Sequence, residues 1–359
     1  MQSRMRMKTG PSTTVTTAPD LGQFNSTGPG TLAQVMDNVE QRVASGDVAR
    51  FRPLATGFTP LDEMINGGLR QGELMVVGGP SGVGKTIWGL QVARNVVCSS
   101  NDNGAIYICY EHDRTHLMSR LMCLESAEQG DGAGVLTLRE LADLTMSTTN
   151  GVGLIGRLRR EPRYAVVVDK MNSYANRMVL VKASGGSSTL QQIQRWVQEI
   201  ATTGPQRLLL VVDYLQKIPV ERGALQPETE LTTYLTQGLK EMAMSMGIAV
   251  IAIAASDRPG LKSKRMRLWD LRGSSALQYE ADIGLMLNNK RDIVSREHMI
   301  HNLARAEAMR NWVVMSVEKN RSGRHAIDLE YRLDAAHFRI VPRGHLVRER
   351  LVDERLILE

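Results

Sequence analysis

Eight consecutive residues, Gly79-Pro80-Ser81-Gly82-Val83-Gly84-Lys85-Thr86, combine glycines, an ammonium and a hydroxyl in the order Gly, four residues, Gly-Lys-Thr. The chemistry of this pattern is that of a triphosphate cradle. Glycines let successive backbone N–H groups approach phosphate oxygens that a Cβ would hold away. Lys85 would reach the β- and γ-phosphates, and Thr86 would bind Mg²⁺ through its hydroxyl. Such a site also needs a carboxylate at the end of a second buried strand to hold the ion. Two apolar runs end in one, Ala165-Val166-Val167-Val168-Asp169 and Leu208-Leu209-Leu210-Val211-Val212-Asp213. A third carboxylate, Glu111, follows Ala105-Ile106-Tyr107-Ile108-Cys109-Tyr110. At the mouth of a strand beside the loop it would polarise or orient an attacking water. An ordinary exposed glutamate at a strand end accounts for those residues equally well, and His112 beside it reads as a loop histidine without a partner.

The elements around these residues have the required order. Glu73 to Val77 reads as a buried strand. Ile87 to Cys98 carries apolar residues at helical spacing (Ile87, Leu90, Val92, Ala93, Val96, Val97), so the loop joins a strand to the N-terminus of a helix aimed at the phosphates. Asp213 is the better of the two candidate aspartates. Its run is framed by Gly204-Pro205 and Pro219 and follows a helical segment over 190–202, a clean strand frame. Asp169 lies in a stretch (Tyr164, Val167, Val168, Met171, Tyr174, Met178) that also reads at helical spacing. A helix over 228–246, with Leu231, Leu235, Leu239, Met242 and Met246 on its inner face, precedes a strand over 247–255. Alternating strands and helices of these lengths predict an α/β fold with a mostly parallel sheet and helices on both faces.

The chain has 359 residues, enough for one large α/β core. A net charge of +6 suits a polyanionic partner. The three cysteines show no metal or redox spacing, in keeping with buried thiols in a reducing cytosol. No apolar run approaches the roughly 20 residues of a membrane helix. Residues 1–30, rich in Ser, Thr, Gly and Pro, read as a disordered arm. Over 31–47 Thr31 and Gln34 form a capping-box pattern that opens an amphipathic helix, with Leu32, Val35, Met36, Val39 and Val43 on one stripe. A helix this short needs a surface to lie on, on its own core or on a neighbouring subunit.

Several further segments, in order, resemble the DnaB-type hexameric replicative helicases, whose motor domain has a RecA-like P-loop fold. They are Thr56-Gly57-Phe58-Thr59-Pro60-Leu61-Asp62-Glu63 with Gly67-Gly68-Leu69, then Val212-Asp213-Tyr214-Leu215-Gln216, then the stretch from Asp270 to Asp282, then Glu318-Lys319-Asn320-Arg321-Ser322-Gly323. With the P-loop they span about residues 31 to 341. The resemblance implies ATP and Mg²⁺ at Lys85, Thr86 and Asp213, a catalytic role for Glu111, and a Lys319/Arg321 pair that reaches into the neighbouring subunit's site. It implies single-stranded DNA held in a central channel by the segment containing Arg272, Gly273 and Ser275. The basic residues Arg258, Lys262, Lys264, Arg265 and Arg267 just before it extend that surface. It makes the helix at 31–47 a linker helix docked on an adjacent subunit, residues 48–342 the motor domain, and the whole a cytoplasmic homo-oligomeric ring with a possible loader or primase partner.

The departures from the family are also specific. Ala254-Ala255-Ser256-Asp257 stands where the family has a Ser-Gln pair whose glutamine senses the γ-phosphate, and Gly273 replaces a glutamate. Residues 289–312 look like a charged helical insertion and 343–359 like a helical tail. The family's N-terminal collar domain has no counterpart. These features leave two other readings open, a RecA-like ATPase that assembles without unwinding and a nucleotide-gated loader or adaptor of a mobile element.

Overall fold

The computed structural model describes residues 28–48, 51–130, 135–147, 151–220, 227–256, 263–294 and 307–352. The chain divides into two units, residues 1–45 and 46–359. In the first, α1 (Leu32–Ala44) starts at Thr31, whose side chain accepts from the Gln34 N–H while the Gln34 side chain accepts from the Thr31 N–H. None of its residues is buried: Leu32, Val35, Met36, Val39 and Val43 are all exposed.

In the second unit the order is α2 (Leu61–Met64), β1 (Leu74–Gly78), α3 (Lys85–Ser99), β2 (Asn103–Cys109), α4 (Arg114–Gln129), α5 (Leu138–Met146), α6 (Leu154–Arg160), α7 (Pro162–Tyr174), β3 (Met178–Lys182), α8 (Leu190–Thr203), β4 (Arg207–Asp213), α9 (Glu228–Met246), β5 (Ala249–Ile253), α10 (Ser274–Glu280), β6 (Ile283–Asn289), α11 (Lys290–Ile293), β7 (Trp312–Asn320), β8 (Ile327–Asp334), β9 (Arg339–Ile340) and β10 (His345–Leu346). The sheet runs β10-β8-β7-β6-β1-β5-β4-β2-β3, with β9 beside β8. From β6 to β3 all neighbours are parallel; β7, β8 and β10 extend the β6 edge antiparallel.

The parallel core follows from side chains that are apolar on both faces. In β1, Met75 and Val77 enter one core while Leu74 and Val76 enter the other, and in β4 Leu209 and Val211 alternate with Leu208, Leu210 and Val212 in the same way. A strand with two apolar faces must be covered on both. Trp88, Val92 and Val96 of α3 cover the first face; Ile193 and Val197 of α8 and Leu235 and Leu239 of α9 cover the second. Helices α4 to α7 add a smaller cluster around Met122, Leu141, Leu158 and Val168.

The helical spacing from Tyr164 onward is that of α7, but β3 and helices α4 to α6 go unread in the sequence, and Met178 opens β3 rather than closing a helix. Asp169 lies on α7, which removes it from any strand end. The tail expectation is corrected over its described part: 345–346 is a strand, because His345 and Leu346 pair with Glu330 and Leu329 of β8, and Leu351 bridges Val294. Residues 353–359 lie outside the described residues. Within 289–312 the described residues include α11 and a short helical turn at 307–311, while residues 295–306 lie outside the described residues.

Candidate nucleotide site

The loop from Gly79 to Gly84 joins the carboxyl end of the central strand β1 to the N-terminus of the 15-residue α3, where unpaired N–H groups and the helix dipole favour an anion. Gly79, Gly82 and Gly84 have φ of 147°, 79° and 102°. At Gly79 a Cβ would stand 2.3 Å from the Leu287 carbonyl oxygen of β6, so only glycine lets the loop lie against that strand. Pro80 and Gly84 are half-buried, Ser81 and Gly82 are exposed, and Val83 is buried. The Lys85 ammonium is buried, 6% exposed, and donates to the carbonyls of Gly79 at 2.7 Å and Pro80 at 2.9 Å.

Asp213 ends β4 and is 1% exposed. The Tyr107 hydroxyl, from the neighbouring β2, donates to its Oδ2 at 2.8 Å; its Oδ1 is buried without a hydrogen-bond partner. The peptide from Asp213 to Tyr214 is cis. Burial pushes the Asp213 carboxyl up, against the opposing pull of Tyr107, Thr86 and Lys85. Burial also pushes Lys85 down to about 8, although Asp213 and Glu111 act to hold it up. Both shifts have one cause: the cradle takes an ammonium and a carboxylate out of water without fully balancing either. A phosphate against Lys85 and a divalent cation against Asp213 reverse both penalties. One carboxylate oxygen lacking a donor, beside a threonine hydroxyl at a phosphate loop, fits Mg²⁺, which takes few protein oxygens and shares phosphate oxygens. Among the described residues no group of three or more His, Cys, Asp and Glu could hold a metal ion alone.

Glu111 is exposed, two residues past the end of β2, whose Cys109 is in register with Asp213. Four predicted residues, Lys85, Thr86, Glu111 and Asp213, therefore meet at the carboxyl edge of the sheet. Tyr107 is one the sequence reading passes over; its signal is a hydroxyl in the middle of a wholly buried strand, which demands a partner. Gln216 is another. Its side chain accepts from the Ala255 N–H at 2.9 Å and donates to the carbonyls of Ala255 at 3.4 Å and Arg272 at 3.3 Å, tying the turn after Asp213 to the end of β5 and to the next loop.

In that loop the Arg272 N–H donates to the Ala255 carbonyl at 3.2 Å. Gly273 has φ 71°, and a Cβ there would stand 2.4 Å from the Thr232 side chain of α9. Ser275 and Lys264 are exposed; Arg258 and Lys262 lie outside the described residues. Arg265 is corrected: it is 7% exposed, paired with Asp328 and bonded to Ser316, so its charge serves the core of the sheet edge and not a channel. Arg267 pairs with Glu318 at 3.1 Å. His112 is corrected as well, since its Nε2 lies 3.1 Å from Arg120.

Lys319 and Arg321 stand apart from this assembly. Gly78 is in register with Met286 and Ser316, whereas Arg321 lies five residues further on, just past the end of β7, about 15 Å away at the opposite edge. There Lys319 donates to the carbonyls of Gln278 and Tyr279; Arg321 donates to Tyr279 and pairs with Asp282 at 3.4 Å, with its side chain 49% exposed.

Residues 53–339 match the DnaB-like helicase C-terminal domain family. The replicative DNA helicase DnaB of Geobacillus stearothermophilus is 26% identical over 260 residues, 70% of this chain and 50% of that protein. The DnaB of Treponema pallidum is 27% identical over 241 residues, 67% and 48% respectively. The chain thus spans about half the length of these curated relatives. A solved structure of a DnaB-like replicative helicase, described with its interactions with primase, superposes with a TM-score of 0.64 at 18% identity, over 88% of this chain and 67% of its own. At that identity the likeness concerns the fold, a RecA-like ATPase domain.

Proposed function

The chain belongs to the DnaB-like helicase C-terminal domain family, and from that premise we propose that it is an ATP-driven motor that forms a ring, translocates on single-stranded DNA and unwinds duplex. The observation that carries this reading is the division of hydrolytic groups between two edges of one sheet. Lys85, Thr86, Asp213 and Glu111 crowd the carboxyl edge, while Lys319 and Arg321 are held at the amino edge with Arg321 half in solvent. One chain cannot close such a site on itself; a head-to-tail ring closes it at every interface.

In the assembled site Lys85 and the backbone N–H groups of the loop's glycines would bind the phosphates, and Thr86 and Asp213 would hold Mg²⁺, which would offset phosphate charge. Tyr107 fixes the Asp213 carboxylate through Oδ2 and leaves Oδ1 for the ion. Glu111, exposed beside Asp213, orients the attacking water and receives its proton. Arg321 and Lys319 of the neighbouring chain meet the charge that develops on the γ-phosphate. Arg272, Gly273, Ser275 and Lys264, with Arg258 and Lys262, grip DNA phosphates without reading bases, and Gln216 links that loop to the strand end holding Asp213. Ala254-Ala255-Ser256-Asp257 stands where the family has its Ser-Gln pair, and the Gln216 amide bonded to the Ala255 backbone supplies a polar contact at that strand end.

The test is ATP hydrolysis with and without single-stranded DNA, together with unwinding of a forked duplex and negative-stain imaging. DNA-stimulated hydrolysis by rings is expected; a folded oligomer with no such stimulation defeats the proposal.

A further inference from the structure

The loop after β2 and the first turns of α4 hold a cluster of one guanidinium and two imidazoles that the site described above does not use. Arg120, on α4, donates from Nε to His116 Nε2 at 3.1 Å, and its Nη2 lies 3.1 Å from His112 Nε2. A guanidinium has donors only, so both imidazole Nε2 atoms must accept, and both rings are neutral with their proton on Nδ1. The rings lie 4.8 Å apart, and the Phe338 ring is 4.9 Å from the guanidinium on another side. Arg120 is near enough to Asp213 and Glu111 to feel their charges, and its partner His112 directly follows Glu111 in the chain.

We propose that Arg120 is a positioning residue for hydrolysis, seated beside Glu111 and Asp213 by the neutral imidazoles of His112 and His116, so that protonating either ring unseats it. The proposal rests on the reading of Glu111 as the water-orienting group. A guanidinium here adds positive charge near the two carboxylates, and its contact with His112, the residue after Glu111, steadies the loop that carries Glu111. A proton on either Nε2 removes an acceptor and sets a second cation against Arg120. The groups facing the imidazoles are Arg120 of α4 and each other, His116 on α4 and His112 in the preceding loop, with Glu111 and Asp113 of that loop; Lys182 of β3 reaches this group through Asp113. Burial first, and the Arg120 charge second, hold both imidazoles below the ordinary 6.5. A lowered histidine pKa leaves the seat whole at neutral pH; it is lost as pH falls from 6.5 through the folded-state values.

The experiment uses the full chain, wild type beside His112→Gln/His116→Gln, which keeps an acceptor at each position but cannot titrate, and beside Arg120→Ala and Arg120→Lys. Steady-state ATP hydrolysis is followed from pH 5.5 to 8.5, and imidazole ¹⁵N shifts over the same range. The wild-type kcat should fall about tenfold across the acid limb, while the double glutamine variant stays flat there. Both Arg120 variants should lower kcat at least about tenfold at pH 7.5 with KM little changed, since an ammonium cannot span two imidazoles. An acid limb retained by the glutamine variant, imidazoles titrating at or above the ordinary value, or an unchanged kcat in Arg120→Ala overturns the seat. A wild-type protein inactive at every pH overturns the underlying reading of the site instead, and this proposal with it.

Discussion

The two edges of the central sheet treat charge in opposite ways. At the carboxyl edge Lys85 and Asp213 are 6% and 1% exposed, and their positions are set by backbone carbonyls and by Tyr107. At the amino edge Arg321 is half exposed and rests on Asp282 and a backbone carbonyl. Buried charges are costly to arrange and are fixed when the chain folds. Exposed ones cost little and stay available to another molecule. The contrast teaches that one edge is a finished receptor and the other a group offered outward.

The comparison breaks or holds under a few variants. Among the exposed groups Arg321→Ala has the largest expected effect, a loss of about 10³ to 10⁵ in the hydrolysis rate of the assembled ring. Mixed with Lys85→Ala, itself inactive, it should recover part of the activity, because each variant leaves intact the edge that the other lacks. Mixtures assayed for phosphate release decide this, and the absence of any recovery would place both edges in one chain's site. Glu111→Gln should lower kcat by roughly 10² to 10⁴ and gain nothing from mixing with Lys85→Ala, since both changes lie on the same edge. A milder effect comes from pH. With Lys85 at about 8 in the free protein, the cation is present below that value and lost above it, so kcat/KM should fall about tenfold per unit above pH 8. The smallest effect belongs to Asp169→Ala. On the exposed face of α7 it should leave Mg²⁺-dependent hydrolysis unchanged and shift stability by no more than about 0.5 kcal/mol, read by thermal melting, while Asp213→Ala abolishes hydrolysis.

What the sequence made legible was whatever is local in the chain. The phosphate loop, α3, β4 and the capped start of α1 each carry their signal within about fifteen residues, in periodicity, glycines and caps. Asp213 could be separated from Asp169 because Gly204-Pro205 and Pro219 frame a strand. The misreadings involve partners distant in the chain. β3 follows a helix with similar apolar residues and has a half-exposed pattern at the sheet edge, so nothing local marks it. Arg265 looked like one more cation in a basic loop because Asp328, its partner, is 63 residues away. His112 looked solitary because its partner, eight residues on, is brought back by the first turns of α4. The tail is a strand only because β8 offers it an edge.

The Gln216 amide limits which residues position 216 can take. It accepts one hydrogen bond and donates two to carbonyls, all at one reach from the backbone. Glutamate would turn acceptors toward two carbonyl oxygens, asparagine is one carbon short, and methionine offers no donor. Position 216 therefore has a substitution alphabet of nearly one letter. Lys217, exposed beside it, is under no such demand and is free to drift.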